Sequence, residues 1–419
     1  MKGTAKAPAT GAQVFVARLP ILNRDRRVYG YELLFRASQN ADPSGAALDF
    51  TAARVISDAL LSIGLETLTD GRRAFVGVSR RLLLDGIPSV LPPERVVLEL
   101  AADIEADTDV VAACKALRDA GYQIAVDDFV LTDWTADLVP LANFLKVDFM
   151  TTDPEGRKGI EKVRTNSSPV LIAKSIETMD LFDQAVREGY TYFQGFFFGR
   201  PIIAEGREVP GQQMANLRLL RALHVPDLSV YQLEELIKHD ASLCYRILRT
   251  VNSAAYMLQV PVQSIRQALV LLGRDTVRRW ASLWSLAGLN DQAHSELVVM
   301  ATVRARCCEL LAGSAGGEDA ASEGFLAGMC SLLDVILGRP MKVVLADLPL
   351  ADETEAALLG EDNATRRLLD CVIAYEHGDW ETAERIARHA KIDPSLLPKV
   401  FADSLRWSRE MRSTGSGGA

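Results

Sequence analysis

The feature that most limits what this chain can fold into is a rhythm in its first half. Short apolar runs of strand character alternate there with helical patterns. The strand-like runs are 14–19, 29–35, 74–78, 96–100, 123–126, 144–147, 170–173 and 191–193, and helix-like stretches at 46–63, 107–120, 158–164 and 179–188 lie between them. Strands alternating with helices form βα units around a mainly parallel sheet. Eight such strands in about 190 residues suit a compact (β/α) barrel. The first two runs are joined by a short polar turn at 23–27, so they form a hairpin and one strand runs antiparallel to the rest. A doubly wound sheet stays open as the alternative, because strand counting does not separate the two.

Near residue 205 the pattern changes. From about 214 onward apolar residues recur at helical spacing, first in Leu233, Leu236 and Ile237, then in Leu243, Ile247 and Leu248. Further helical patterns follow at 264–272, 276–289, 295–311, 323–337 and 363–376, with Ser229 and Asp240 as capping residues. The polar stretch around EGREVPG reads as a linker. The expected organisation is therefore α/β plus all-α: a flexible tail at 1–12, a barrel at 13–205, a linker at 206–213, a helical domain at 214–406 and a flexible tail at 407–419.

Composition excludes several functions. The formal net charge of -9 argues against a broad nucleic-acid surface. Six cysteines in 419 residues, with no CxxC pair, make neither a zinc ribbon nor a disulfide scaffold, so reduced thiols are expected. Adjacent Cys307 and Cys308 cannot share one helix face and are read as packing residues. The N-terminus lacks the apolar core of a signal peptide. The apolar stretches 280–289 and 325–337 are too short to span a bilayer, and the second carries Asp334. A cytoplasmic protein without membrane contact is the expectation.

In a parallel barrel the C-terminal ends of the strands converge on one mouth. Here those ends carry Glu32, Gly77, Glu99, Asp127 with Asp128, Lys146 with Asp148, Lys174 with Glu177, and Gln194. Helix capping accounts for any one of these carboxylates. Taken together they describe a hard-cation site, since acids facing one cavity repel unless a cation neutralises them.

The stretches YELLFR, VVLEL, IAVDDF, FLKVDF, AKSIET and QGFFFGRP fall in the order found in EAL domains, and the first half resembles that family of barrel phosphodiesterases for cyclic di-GMP. The resemblance implies two Mg²⁺ or Mn²⁺ ions about 4 Å apart that activate a water and clamp the phosphodiester. It places Glu32, Glu99, Asp127 and Asp128 as metal ligands and Lys146 beside the attacking water. Arg36 falls at the phosphate contact, and Glu177 and Gln194 at the remaining polar positions.

The departures from the family pattern weigh more than the matches. Gly77 stands where the family has a metal-binding Asn. Lys174 stands where it has the Glu taken as general base. Ala102 replaces a Glu that braces the loop after Asp128, and Val130 replaces a Gly in that loop. Loss of a general base alone removes about 10²–10⁴ in rate, and lost support around a metal removes a further ~10–100-fold. A barrel without useful phosphodiesterase activity is expected, with Lys146 vestigial and no resident cofactor; Mg²⁺ or Mn²⁺ belongs to the active alternative. Lys146 and Lys174 are expected to neutralise the surviving acids directly, unless Lys174 turns out to solvent.

In the helical half, His239–Asp240 makes an HD dipeptide. With only 5 histidines in the chain and no second HD pattern, a dinuclear hydrolase centre is not expected. The segments DASL, NSA with Asn252, and SIRQALVLLG instead resemble an HDOD domain. Asn252 is read as a turn former, Arg274, Arg278 and Arg279 as a solvated face, and Trp280 with Trp284 as core or interface. The two resemblances together describe the EAL–HDOD signalling architecture. The reading is a regulatory scaffold that acts on signalling proteins through its HDOD domain, in control of motility or biofilm. Cyclic di-GMP is admitted as a ligand and a homodimer as an assembly; nucleic acid is not. The alternatives are an active phosphodiesterase and a cyclic di-GMP receptor.

Overall fold

In the computed structural model the described residues are 14–37, 63–196 and 296–416, less scattered positions, with mainly helical segments between 216 and 287. The expected helix at 46–63, except its last residue, lies outside them, as do the linker, the tail at 1–12, and Ala102, Asp240 and Asn252.

Eight strands close into a barrel. They are β1 (Val14–Asn23), β2 (Val28–Ala37), β3 (Arg73–Val78), β4 (Val96–Leu100), β5 (Gln123–Val126), β6 (Phe144–Asp148), β7 (Val170–Lys174) and β8 (Tyr192–Gln194). β1 runs antiparallel to both neighbours, β2 and β8, and the other pairings are parallel. Pairing of Ile21 with Gln194 closes the ring, which removes the doubly wound alternative. The helices described between strands are α1 (Leu65–Thr69), α2 (Arg80–Leu84), α3 (Thr108–Asp119), α4 (Pro154–Val163) and α5 (Met179–Arg187). Ser79, Asp107 and Thr178 cap α2, α3 and α5 by accepting from free backbone N–H groups.

Inside the barrel an apolar plug of Ile21, Phe75, Val97, Ala125, Phe144 and Ile172 packs with Tyr29, Val170 and Tyr192. Its rings meet closely: Tyr29 stacks on Tyr192 at 4.1 Å and Phe75 meets Phe144 edge-on at 5.4 Å. The plug forms a floor beneath the mouth.

The second half is helical: α6 (Val230–Lys238), α7 (Ile265–Leu272), α8 (Arg274–Ala287), α9 (Glu296–Cys330), α10 (Leu333–Leu337), α11 (Met341–Leu345), α12 (Asp352–Leu358), α13 (Ala364–Glu376), α14 (Trp380–His389) and α15 (Leu397–Ser416). Gly317, at φ 84°, interrupts α9 and divides it into two arms; the pattern at 295–311 falls in the first, and the single helix expected at 323–337 is split between the second arm and α10. Small residues let the arms touch: a Cβ on Gly328 would lie 2.6 Å from the Ala305 Cα. Cys307 and Cys308 are buried there, and burial pushes the Cys307 thiol up to about 12. These are inert packing thiols. Trp280 is buried in the core, whereas Arg279 pairs with Glu309 at 2.5 Å. The tail expected from 407 is helical as far as Ser416, because Phe401, Leu405 and Ser408 bury one face of α15.

The helical half docks on the β1–β2 hairpin. Tyr31 donates to Glu296 at 2.7 Å, Arg18 lies 3.8 Å from the same carboxylate, and the Val16 N–H donates to the Tyr375 hydroxyl at 3.4 Å. Among the described residues no helix is long and apolar enough to cross a membrane.

Helix propensity alone would make Gly328→Ala stabilising by up to ~1 kcal/mol. The close approach of the two arms reverses that sign: the substitution should lower stability by about 1–3 kcal/mol, read by urea denaturation.

Candidate functional site at the barrel mouth

Strand geometry makes the site. Side chains alternate between the two faces of a strand, so a residue two positions beyond an inward plug residue also points inward, one layer higher. Phe75, Val97, Ala125, Phe144, Ile172 and Tyr192 belong to the plug or pack on it. Two positions further stand Gly77, Glu99, Asp127, Lys146, Lys174 and Gln194. Glu32 joins them from β2, where it pairs with Phe75. The strand ends picked out in the sequence are thus one layer, facing a cavity of about 840 Å³ that Glu32, Gly77, Glu99 and Asp127 help line.

Two ammonium groups organise this layer. Lys146 has no solvent-exposed side-chain surface (0%). Its Nζ donates to Glu32 Oε2 at 2.7 Å and to Glu99, and lies 3.4 Å from Asp127 Oδ1. Gln194 Nε2 donates to the same Glu32 oxygen at 2.6 Å. Lys174 turns inward, and its Nζ donates to Asp127 Oδ1 and Asp128 Oδ1, both at 2.7 Å. Asp128 and Ser175, next to this contact, adopt left-handed backbone conformations (φ 43° and 58°), a strained geometry that the ion pairs and the Ser175–Asp148 hydrogen bond of 2.7 Å help hold.

The ionisation states follow. Burial opposes charge on Lys146, but the three carboxylates outweigh it and its pKa is raised. Burial would raise Glu32 and Asp127 as well, yet the lysines prevail and both are lowered. Glu99 goes the other way: burial pushes it up to about 8, with Glu32 and Asp127 adding to the rise, because one ammonium cannot fully compensate three neighbouring acids.

Arg36 and Glu177 both interact with groups of the helical half. The Arg36 guanidinium is ion-paired with Glu384 of α14. Glu177, in the segment before α5, interacts electrostatically with His377 of the helical half. Nothing in the sequence marked Glu384 or His377, which are ordinary helix-surface residue types until the two halves are docked.

This donor set differs from the two-dication centre that the family pattern implies. The oxygens that would bind metal are engaged by Lys146 and Lys174, and Gly77 contributes no side-chain oxygen. Space is not the obstacle at residue 77, since a Cβ there would meet no atom within 4 Å.

Replacing Lys146 by Met should destabilise the protein by about 3–5 kcal/mol, because the buried Glu32 carboxylate loses its cation and Asp127 keeps only Lys174. Glu99 yields a pH test. Its folded pKa of about 8 lies above its ordinary value of 4.5, so the folded protein holds a proton that the unfolded chain releases. The associated stability is present at low pH and lost as pH rises toward about 8. Denaturant titrations at steps across that interval should show a decline that Glu99→Gln flattens.

Comparison with known proteins agrees with this architecture. The HDOD domain family matches residues 210–338. The chain is 32% identical over 407 residues to "Uncharacterized protein YuxH" of Bacillus subtilis, covering 95% of this chain and 99% of that one. It is also 32% identical to "Cyclic di-GMP phosphodiesterase CdgJ" of Vibrio cholerae, covering 95% of this chain and 93% of that one. The structure of the Bacillus subtilis YkuI protein, with an EAL domain, in complex with substrate c-di-GMP and calcium, aligns at 19% identity and a TM-score of 0.38 over 63% of this chain and 72% of that one. With its closed eight-stranded barrel, its helical second half and these full-length relatives, the chain belongs to the EAL–HDOD family of two-domain signalling proteins.

Proposed function

We propose that this protein is a non-catalytic regulator in a cyclic di-GMP-linked pathway. Its degenerate barrel serves as a structural or ligand-receiving module, and its helical domain acts on signalling proteins that control motility or biofilm. The observation that carries the reading is the place of Lys174. The side chain at the position of the family's general base is an ammonium 2.7 Å from two aspartates that would otherwise be metal ligands. An ammonium there cannot accept a proton from water and repels a dication. Gly77 removes a further ligand, so two independent losses act on one centre.

The second reading is a working metal-dependent phosphodiesterase. It is favoured by 32% identity to CdgJ across almost the whole chain. The readings part on one measurement: chromatography of cyclic di-GMP incubated with the full-length protein and Mn²⁺. The wild type should form no linear pGpG above the protein-free background. The double variant Gly77→Asn, Lys174→Glu should gain at least about 10²-fold over the wild type, the scale of a restored general base. Brisk cleavage by the unaltered protein would decide for the enzyme.

A further inference from the structure

The barrel rim on its β1–β2 side is held by groups from the far end of the chain. Glu32 and Leu34 line the mouth cavity, and Arg36 is the next residue on that face of β2. Its guanidinium lies 4.5 Å from the Phe15 ring and 5.5 Å from the Trp380 ring, and Nη2 donates to Glu384 Oε1. The other oxygen of Glu384 accepts from Arg388 at 2.9 Å. Arg36 Nε is buried and has no hydrogen-bond partner among the described residues.

The turn between α13 and α14 reaches the same rim. The His377 ring lies 3.9 Å from Phe196, just beyond β8. A Cβ on Gly378, at φ 75°, would lie 2.7 Å from Leu34 Cδ1, so only glycine lets this turn rest on the cavity-lining leucine.

These contacts have the chemistry of an exchangeable latch. The Arg36 fork has a donor to spare, and a guanidinium binds a phosphate oxygen pair as well as it binds a carboxylate. Glu384 keeps Arg388 when Arg36 leaves, so neither partner is stranded without a counter-charge. The cavity volume is in the range of nucleotide-sized ligands. We propose that a phosphodiester in the barrel mouth and Glu384 of the helical domain compete for Arg36, so that occupancy of the mouth releases α14 from the barrel rim. This rests on the mouth receiving a phosphodiester, not on whether it is cleaved. Linkage makes the coupling reciprocal: loosening the latch tightens binding, and binding loosens the latch.

The test uses the full chain, with cyclic di-GMP as probe, calorimetry for affinity and hydrogen exchange of residues 380–389 for the latch. Glu384→Gln should bind the probe at least about fivefold more tightly than wild type. Its α14 amides should exchange faster without ligand, and saturating probe should bring the wild type to the same level. Glu384→Asp, which keeps the charge but shortens the reach, should move both readouts in the same direction and guards against a fold defect in one variant. Arg36→Ala should loosen α14 with no gain in affinity. Equal affinities for wild type and both Glu384 variants, or no binding by any of them at millimolar probe, would overturn the competition. Either result leaves the non-catalytic reading intact, because that is judged by pGpG formation alone.

Discussion

The barrel mouth depends on one buried ammonium. Lys146 is enclosed completely, and it stays charged because the ionised Glu32 and Asp127 lie beside it, with Glu99 as a third acid in contact. The relation is mutual, since those acids converge on one cavity and would repel each other without a cation. A buried ion pair contributes little net stability compared with apolar packing, but breaking it is expensive. The group therefore fixes the geometry of the mouth more than it stabilises the fold. The apolar plug below sets the depth of the layer, and period-two alternation along each strand places its members.

Lys174 changes the character of this arrangement. One lysine among several acids leaves a negative cavity that invites a cation. A second lysine, contacting Asp127 and Asp128 together, moves the balance toward internal neutrality. Its side chain is only 16% exposed, so solvent does little to screen it from Asp127, while Asp128 at 53% is the more weakly held partner. The acids of the mouth are thus held in a set of ion pairs. Strained backbone at Asp128 and Ser175 remains at the position where a functional site would store it.

The helical half is joined to the barrel through polar groups as well as apolar ones. Tyr31 and Arg18 both address Glu296, and Arg36 addresses Glu384. Buried contacts of this kind fix orientation, because each charge is costly if its partner moves away. The rim contacts differ from the Glu296 cluster in one respect. Glu384 is shared between Arg36 and Arg388, whereas Glu296 receives Tyr31 and Arg18, and Arg18 also donates to the Leu68 carbonyl at 3.1 Å.

Much of this was legible in the sequence. Alternating apolar runs set the strands: 96–100 and 123–126 agree with β4 and β5 end to end, and the rest differ by a few residues. The antiparallel first strand followed from the short polar turn at 23–27. The residues of the mouth were identifiable because strand ends are local features, and the order of motifs tied them to one barrel. The order of motifs implied a barrel, whereas strand counting alone left a doubly wound sheet open, and the pairing of Ile21 with Gln194 that closes the ring across the whole domain was not legible. Nor was the helical reach of α15, which comes from packing rather than from its Gly- and Ser-rich end. The inward turn of Lys174 and the capture of Arg36 by Glu384 were decided only in three dimensions. Sequence fixes which charges a strand carries and on which face; which opposite charge each one meets is set by long-range docking, over 46 positions for Lys174 with Asp128 and 348 for Arg36 with Glu384.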